Sequence, residues 1–166
     1  MTTTESQVTL KEAKEILRAS ARKGARCPCC GQNVKMYSRP LNSSMVYGLI
    51  LLSRAPERWK DSEGFIHVEN YLRSIENLPA AVRGDIPKLR FWGFIQAKEQ
   101  DRIDGNPSSG YYRVLNDGLD FINGWKLVQQ KVLIYNNKPR GFEGPMIDVF
   151  GAIKKKFNYN ELMGRS

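Results

Sequence analysis

All three cysteines of this chain lie in one short turn, Cys27-Pro28-Cys29-Cys30-Gly31. This is the C-P-x-C-G spacing of a zinc-binding knuckle, in which proline and glycine shape the turn so that Cys27 and Cys30 present two thiolates to one metal ion. The only histidine, His67, is the candidate third ligand, and Cys29, a carboxylate, water or a second chain could complete the tetrahedron. The alternatives are a turn that packs without metal and a structural role for His67.

A second set of residues that could do chemistry is basic. Residues 81–98 carry four basic side chains against one carboxylate, Asp85. Lysine and arginine bind phosphate groups, and arginine also matches the O6 and N7 atoms of guanine. A later arginine and a lysine run near the end of the chain extend this set. The candidate polyanion-binding residues are Arg83, Lys88, Arg90, Lys98, Arg113, Lys154, Lys155 and Lys156.

The positive charge of the chain is concentrated at its two ends. The 166 residues have a net charge of +9, and residues 1–40 and 126–166 each hold 8 basic and 3 acidic side chains. The middle of the chain is close to neutral. Basic ends of this kind favour a polyanionic partner, most often nucleic acid, although they also occur as solvated faces of terminal helices.

Composition and motifs exclude several classes of protein. Hydrophobic residues make up 41% of the chain, enough for a packed core, and the longest apolar run, 45–52, is too short to cross a membrane. Three adjacent cysteines do not form a disulfide framework, so we expect a cytoplasmic protein. With one histidine and no Gly-x-Ser-x-Gly, P-loop or dinucleotide-binding glycine pattern, we expect a protein that is not an enzyme.

The first half of the chain predicts three helices. Thr9-Leu10-Lys11-Glu12 is a capping box that begins a helix over 10–22, with Gly24 as its left-handed stop. Asn42 or Ser43 caps a second helix with a broad apolar side. A brief extended piece at 65–68 leads into a third helix, whose apolar residues recur at i, i+3, i+4 and i+7.

The second half alternates helices and strands. Asp85 and Pro87 indicate a helix start, with Ile86 and Leu89 facing inward and Gly93 ending the helix. Residues 94–95 and 111–115 read as two strands of a hairpin with a long polar tip. Asn116-Asp117 should cap a short helix, residues 128–135 should form a strand, and residues 148–156 should form a helix that includes the lysine run.

Two segments of this half resemble winged-helix proteins. Lys88-Leu89-Arg90-Phe91-Trp92-Gly93-Phe94-Ile95 is similar to the place where the third helix of such proteins runs into the first wing strand. The segment 110–121 is similar to the return strand and following helix, which in many such proteins reads Gly-x-Tyr-x-Ile-Thr-x-x-Gly-x-x-Phe. Here Leu115-Asn116 stands where Ile-Thr is usual. The cysteine turn adds a similarity to small phage and prophage proteins.

The resemblance implies an α+β fold with a winged helix-turn-helix core at 41–135. An N-terminal helix and cysteine turn at 1–40 precede it, and a basic strand-and-helix extension at 136–166 follows. It also implies regulatory or architectural binding of double-stranded DNA, with the helix that ends at Gly93 in the major groove. The hairpin tip, 96–110, has two basic and three acidic residues, which is unusual for a wing that contacts phosphates.

Other functions fit the same residues. Winged helices also serve as protein-interaction and dimerisation modules, so a homodimer and a phage-type protein that binds and inhibits a host protein are alternatives. A third alternative is a binder of single-stranded nucleic acid that stacks bases on Phe91, Tyr111 or Tyr112. For these aromatic residues, packing in the core is the competing interpretation.

Overall fold

Helices and three small antiparallel sheets alternate along the chain in the computed structural model, which describes residues 8–20, 22–99, 110–135 and 138–165. The α+β class predicted from the sequence is confirmed. The described helices are α1 Leu10–Ser20, α2 Ser43–Ser53, α3 Val68–Arg73, α4 Ala80–Asp85, α5 Asn116–Ile122, α6 Val149–Ile153 and α7 Tyr159–Leu162. Short 3-10 segments occupy Glu57–Trp59 and Ile86–Trp92. The strands are β1 Ala25–Arg26, β2 Asn33–Val34, β3 Tyr37–Pro40, β4 Ile66–His67, β5 Ile95–Ala97, β6 Tyr111–Val114, β7 Val128–Tyr135 and β8 Lys138–Ile147.

Helix α2 is the centre of the core. Its sequence is apolar on all sides, and none of its residues is exposed. The side chain of Asn42 accepts a hydrogen bond from the backbone N–H of Met45 at 2.9 Å, so the predicted N-cap of this helix is confirmed. Helices α4, α5 and α6, strand β6 and the 3-10 segment 86–92 pack around α2. A helix that is hydrophobic all round must be covered in this way, because exposing it to water would cost the free energy gained by burial.

The sheets are antiparallel and join distant parts of the chain. One has the order β4-β6-β5, with Ile66 opposite Tyr112 and Ile95 opposite Val114. Another has the order β3-β7-β8, with Tyr37 opposite Ile134. Strands β1 and β2 form a separate short hairpin. The sheet β3-β7-β8 takes one strand from each of the segments 1–40, 41–135 and 136–166, and therefore ties both basic ends to the middle of the chain.

Several local expectations are confirmed in detail. Thr9 and Glu12 form the reciprocal capping box at the start of α1, with distances of 2.9 Å and 3.2 Å between backbone nitrogens and side-chain oxygens. Gly93 follows the 3-10 segment with a φ of 73°, the left-handed conformation that glycine adopts without steric cost. Ile86 and Leu89 are fully buried, as predicted.

Three boundaries differ from the expectations. The helix expected from Asp85 to Gly93 is a 3-10 segment, Ile86–Trp92, that directly follows α4. The Asp85 carboxylate makes no capping hydrogen bond, because it accepts from Lys88 and Asn42. Helix α5 begins after Leu115, which gives no side-chain cap. Helix α6 ends at Ile153, so the lysine run is not helical. The side chain of Asp148 caps α6 by accepting a hydrogen bond from the backbone N–H of Gly151 at 2.8 Å.

Strand β8 lies in the C-terminal extension, and its residues show no strand pattern. It contains Pro139, Gly141, Gly144 and Pro145, residues that interrupt strands and suggest turns. The strand tolerates them because it lies at the edge of its sheet, where a proline need not donate a hydrogen bond to a neighbour. Its pairing with β7 also shifts register in two places, which accommodates the irregular backbone.

Within the ranges described, no helix combines the length and apolar character needed to cross a membrane.

The glycine of the Gly-x-x-Phe pattern provides a test of the packing. A Cβ atom on Gly118 would lie 2.5 Å from the carbonyl oxygen of Phe94, a backbone atom that cannot rotate away. We expect Gly118→Ala to lower the free energy of unfolding by about 1–3 kcal/mol in urea titrations. The matched control is Gly84→Ala in α4, where a Cβ atom would meet nothing within 4 Å. This substitution should raise the free energy of unfolding by up to about 1 kcal/mol. Equal stability of the two variants would contradict this packing.

Candidate nucleic-acid interface and cysteine turn

The segment from α4 to Gly93 presents cations on a firmly packed support. Ile86 and Leu89 are fully buried, and the indole N–H of Trp92 donates to the carbonyl oxygen of Gln129 at 2.9 Å. Arg83 is exposed on the other side of this segment, and Lys88 and Arg90 are half-buried beside it. The burial of one side fixes the backbone that carries the three cations.

Two of these cations have contacts within the chain. The ammonium of Lys88 lies 2.8 Å from a carboxylate oxygen of Asp85. The guanidinium of Arg90 lies 5.1 Å from the ring centroid of Phe91, a cation–π distance. A surface ion pair is worth about 0–1 kcal/mol, so Lys88 can exchange Asp85 for a phosphate at little cost.

Lys98 and Arg113 are fixed in a local structural network. The Lys98 ammonium is 2.7 Å from a carboxylate oxygen of Asp61. Arg113 donates to the carbonyl of Glu63 at 3.1 Å, and its guanidinium lies 4.6 Å from the Phe65 ring centroid. The two cations therefore hold the loop 61–65 against strand β6. Because binding phosphate would disrupt these contacts, they are weaker candidates than Arg83.

The lysine run forms an exposed turn. Lys154 and Lys155 have φ values of 53° and 58°, so both take the left-handed conformation directly after α6. With Lys156 they are all exposed. Three neighbouring ammonium groups in water can contact phosphates but offer no fixed geometry for reading bases.

The aromatic residues of the single-strand alternative are occupied by other contacts. Phe91 and Tyr112 are buried in the core. Tyr111 is half-buried, and its ring packs edge-on against His67 with centroids 4.9 Å apart. These three rings therefore belong to the packed interior of the fold and its margin.

The cysteine turn is closed by a short hairpin and by backbone hydrogen bonds. Strands β1 and β2 bring its ends together, the N–H of Cys27 donates to the carbonyl of Gln32 at 2.8 Å, and the N–H of Gly31 donates to the carbonyl of Cys27 at 2.8 Å. Hydrogen bonds from the backbone of Cys30, and then of Cys29, lower the pKa of the Cys27 thiol. Lowering this pKa favours the thiolate, which is the form that binds metals.

His67 has a structural role at the start of α3. Its Nδ1 atom accepts the backbone N–H of Asn70 at 3.3 Å, which makes His67 the N-cap of this helix. Across the described ranges there is no group of three or more His, Cys, Asp or Glu side chains that could hold a metal ion. Cys27, Cys30 and His67 are thus not assembled as one ligand set there. Zinc stays a prediction, in which the turn would supply two of the four ligands.

A groove that the sequence did not predict lies between α1, β2 and the β7–β8 hairpin. It has a volume of about 530 Å³ and takes residues from both basic ends of the chain. The lining residues are Lys14, Leu17, Arg18, Val34, Met36, Tyr135 and Arg140. The concentration of charge at residues 1–40 and 126–166 is the only sequence signal for this groove. The groove depends on the pairing of β7 with β8, whose residues show no strand pattern.

Comparison of the chain with family models, curated proteins and solved structures finds no significant match.

The loop 61–65 should make stability depend on pH. A hydrogen bond from Lys98 is the largest cause that lowers the pKa of Asp61 below its ordinary value of 3.8, and the N–H groups of Phe65 and Glu63 add to it. A lowered folded-state pKa stabilises the fold above pH 3.8, and this stabilisation is lost as the pH falls through the folded-state pKa. Asp61→Asn should therefore lower the urea midpoint at neutral pH and flatten its decline in acid.

The control for Asp61→Asn is Glu57→Gln, because Glu57 pairs with Lys60 while its side chain is 89% exposed. This variant should keep the acid dependence of the wild type. An Asp61→Asn protein with an unchanged acid profile would show that the Lys98 pair does not stabilise the fold.

Metal analysis tests the cysteine turn. If zinc is bound, protein purified without added zinc should contain about one equivalent per chain, or about half if two copies share the ion. Cys27→Ser and Cys30→Ser should then each lower both zinc content and melting temperature. An equal loss in Cys29→Ser would identify Cys29 as a further ligand, and no loss would leave that place to a carboxylate, water or a second chain. Less than about a tenth of an equivalent, with an unaffected Cys27→Ser melting temperature, would exclude the zinc site.

Proposed function

We propose that this protein binds double-stranded DNA through a winged-helix module at residues 41–135, in a regulatory or architectural role without a catalytic step. The order of elements supports the proposal. Helix α2 is followed by strand β4, helices α3 and α4 with the 3-10 segment, and the strands β5 and β6. The last strand of this series pairs with the first, in the sheet order β4-β6-β5. This order of helices and strands resembles that of winged-helix proteins and supports the proposal.

The observation that carries the proposal is the two-sided character of the segment 80–93. Ile86 and Leu89 on its inner side are buried in the core. Its outer side carries the cations Arg83, Lys88 and Arg90. A short helical element held in this way can enter a major groove and keep its side chains at the base edges. Arginine at this place would read guanine, and Lys88 would contact a phosphate after leaving Asp85.

The basic ends of the chain supply the remaining charge. The exposed lysines 154–156 would contact phosphates without selecting sequence, as other cations of the terminal segments would. Lys98 and Arg113 would not bind DNA themselves. By holding the loop 61–65, they would keep the hairpin of β5 and β6 rigid. Of the hairpin tip 96–110, residues 100–109 lie outside the described residues.

A second candidate function is docking to another protein. Trp125 is 78% exposed and the nearby Leu127, Met146 and Phe150 are each more than half exposed. Leu127 directly precedes β7, Met146 lies opposite residue 129 in the paired strand, and Phe150 lies beside Gly124. Tryptophan is enriched among residues that dominate binding energy at protein interfaces. A phage-type inhibitor of a host protein would use such a surface.

A charge-removing triple variant tests the duplex proposal. Arg83→Ala, Lys88→Ala and Arg90→Ala together should leave the melting temperature nearly unchanged, because substitutions at exposed and half-exposed positions of this kind cost little. Affinity for duplex DNA, measured by fluorescence anisotropy, should fall by about 1–3 kcal/mol for each side chain that binds a base. The slope of log affinity against log salt should become shallower by about 0.9 for each side chain that binds a phosphate.

The control variant removes the same charge elsewhere. Arg58, Lys60 and Arg73 lie outside the segment 80–93 and outside both basic ends, and their replacement by alanine should leave duplex affinity within about threefold. If the test and control variants bind every duplex as the wild type does, residues 80–93 do not contact DNA. If Trp125→Ala then abolished binding to a protein partner, this loss would favour the docking function.

A further inference from the structure

The cysteine turn lies at the exposed tip of a short hairpin. Strands β1 and β2 pair Ala25 with Val34 and Arg26 with Asn33, which closes the turn at its base. Residues 28–33 are all exposed, whereas Val34 is buried. The base of the turn is therefore fixed by the fold, while its tip is open to contact with a second molecule.

The thiols of the turn are neighbours, but they do not complete a metal site by themselves. The Cys27 thiol accepts hydrogen bonds from the backbone N–H groups of Cys30 and Cys29 and from both of their side chains. Among the residues that the structure describes, which include all three cysteines, no three potential ligands are grouped around one point. One turn with the spacing Cys27 to Cys30 thus offers a metal ion two thiolates.

The sequence has no other ligands of the kind that structural zinc prefers. Such sites use four sulfur or nitrogen ligands, and the chain has no cysteine outside the turn and one histidine. That histidine, His67, is engaged elsewhere. Its Nδ1 atom accepts the N–H of Asn70, and its ring packs against Tyr111 with centroids 4.9 Å apart. The same turn on a second copy of the chain would supply the two thiolates that are needed.

The charge around the turn indicates why two copies would need the metal to meet. Lys23, Arg26 and Lys35 are exposed beside it, and residues 16–56 contain no aspartate or glutamate. Two such turns repel each other in the absence of metal. A zinc ion with four thiolates is a net anion, so it offsets the repulsion between the cations that surround it.

We propose that one zinc ion joins two copies of this chain, bound by Cys27 and Cys30 of each copy. The two turns are then related by a two-fold axis through the metal, which is the commonest symmetry of protein dimers. Each of the four thiols releases its proton to solvent when it binds zinc. The site uses no residue of the segment 80–93, so it stands without the duplex proposal.

The test is the mass of the full chain in solution, measured by light scattering after size-exclusion chromatography in a phosphine reductant that prevents disulfides. Protein freed of metal by a chelator should have the mass of one chain. Added zinc should double this mass with an endpoint at about half an equivalent per chain, and the chelator should reverse the change. Cobalt(II) added instead should show the charge-transfer absorption of four thiolates per ion.

Single variants identify the ligands. Cys27→Ser and Cys30→Ser should each keep the mass of one chain at every zinc concentration. Because Cys30 is exposed, its replacement should not impair folding, which keeps the test valid if Cys27→Ser does not fold. The matched control is Cys29→Ser, which removes a thiol from the same turn and should still dimerise with zinc. His67→Asn should also dimerise, since asparagine can cap α3 in place of histidine.

Four results would overturn the proposal. The first is a protein that binds no zinc. The second is a single chain that binds about one equivalent, which would show that the chain completes the site itself. The third is a dimer that persists in the chelator or in the folded Cys30→Ser variant. The fourth is loss of zinc-dependent dimerisation in Cys29→Ser or in folded His67→Asn. The triple variant at residues 83, 88 and 90 should still dimerise, so this proposal and the duplex proposal fail separately.

Discussion

Helix α2 is apolar around its whole circumference, and water must be excluded from every side of it for the chain to fold. Its packing is tight at Gly48, where a Cβ atom would come within 2.6 Å of Ile86. This contact sets the distance between α2 and the segment 80–93. Because Ile86 and Leu89 are drawn into the core, Arg83 and Arg90 are left toward solvent. The candidate interface is therefore a consequence of how the central helix is covered.

Strand β7 imposes a second constraint. It pairs with β3 on one side and β8 on the other, so the basic segments 1–40 and 126–166 meet in one sheet although they are far apart in sequence. Like charges brought together in this way repel, and the ion pair of Arg22 with Glu143 offsets part of that repulsion. A fold that gathers cations at such a cost is consistent with a polyanionic partner.

Sequence patterns predicted those parts of the fold that depend on local chemistry. The capping of α1 by Thr9 and of α2 by Asn42 follows from hydrogen bonds within a few residues. Other features depend on distant partners. Asp85 looks like a cap but is engaged by Lys88, and Pro139 looks like a strand breaker but lies on a sheet edge. The groove at the β7–β8 hairpin could not be predicted, because it requires strand β8.

The candidate cations differ in what they contact, which the sequence alone does not reveal. Lys98 and Arg113 serve the loop 61–65, whereas Lys88 has a surface ion pair that it can exchange. The rate at which each lysine is acetylated can be measured by mass spectrometry, with and without a DNA duplex. This measurement compares how far the duplex shields each side chain. We predict that duplex DNA protects Lys88 strongly and leaves Lys60 as reactive as before. Equal reactivity of Lys88 with and without saturating duplex would contradict the claim that the segment 80–93 contacts DNA.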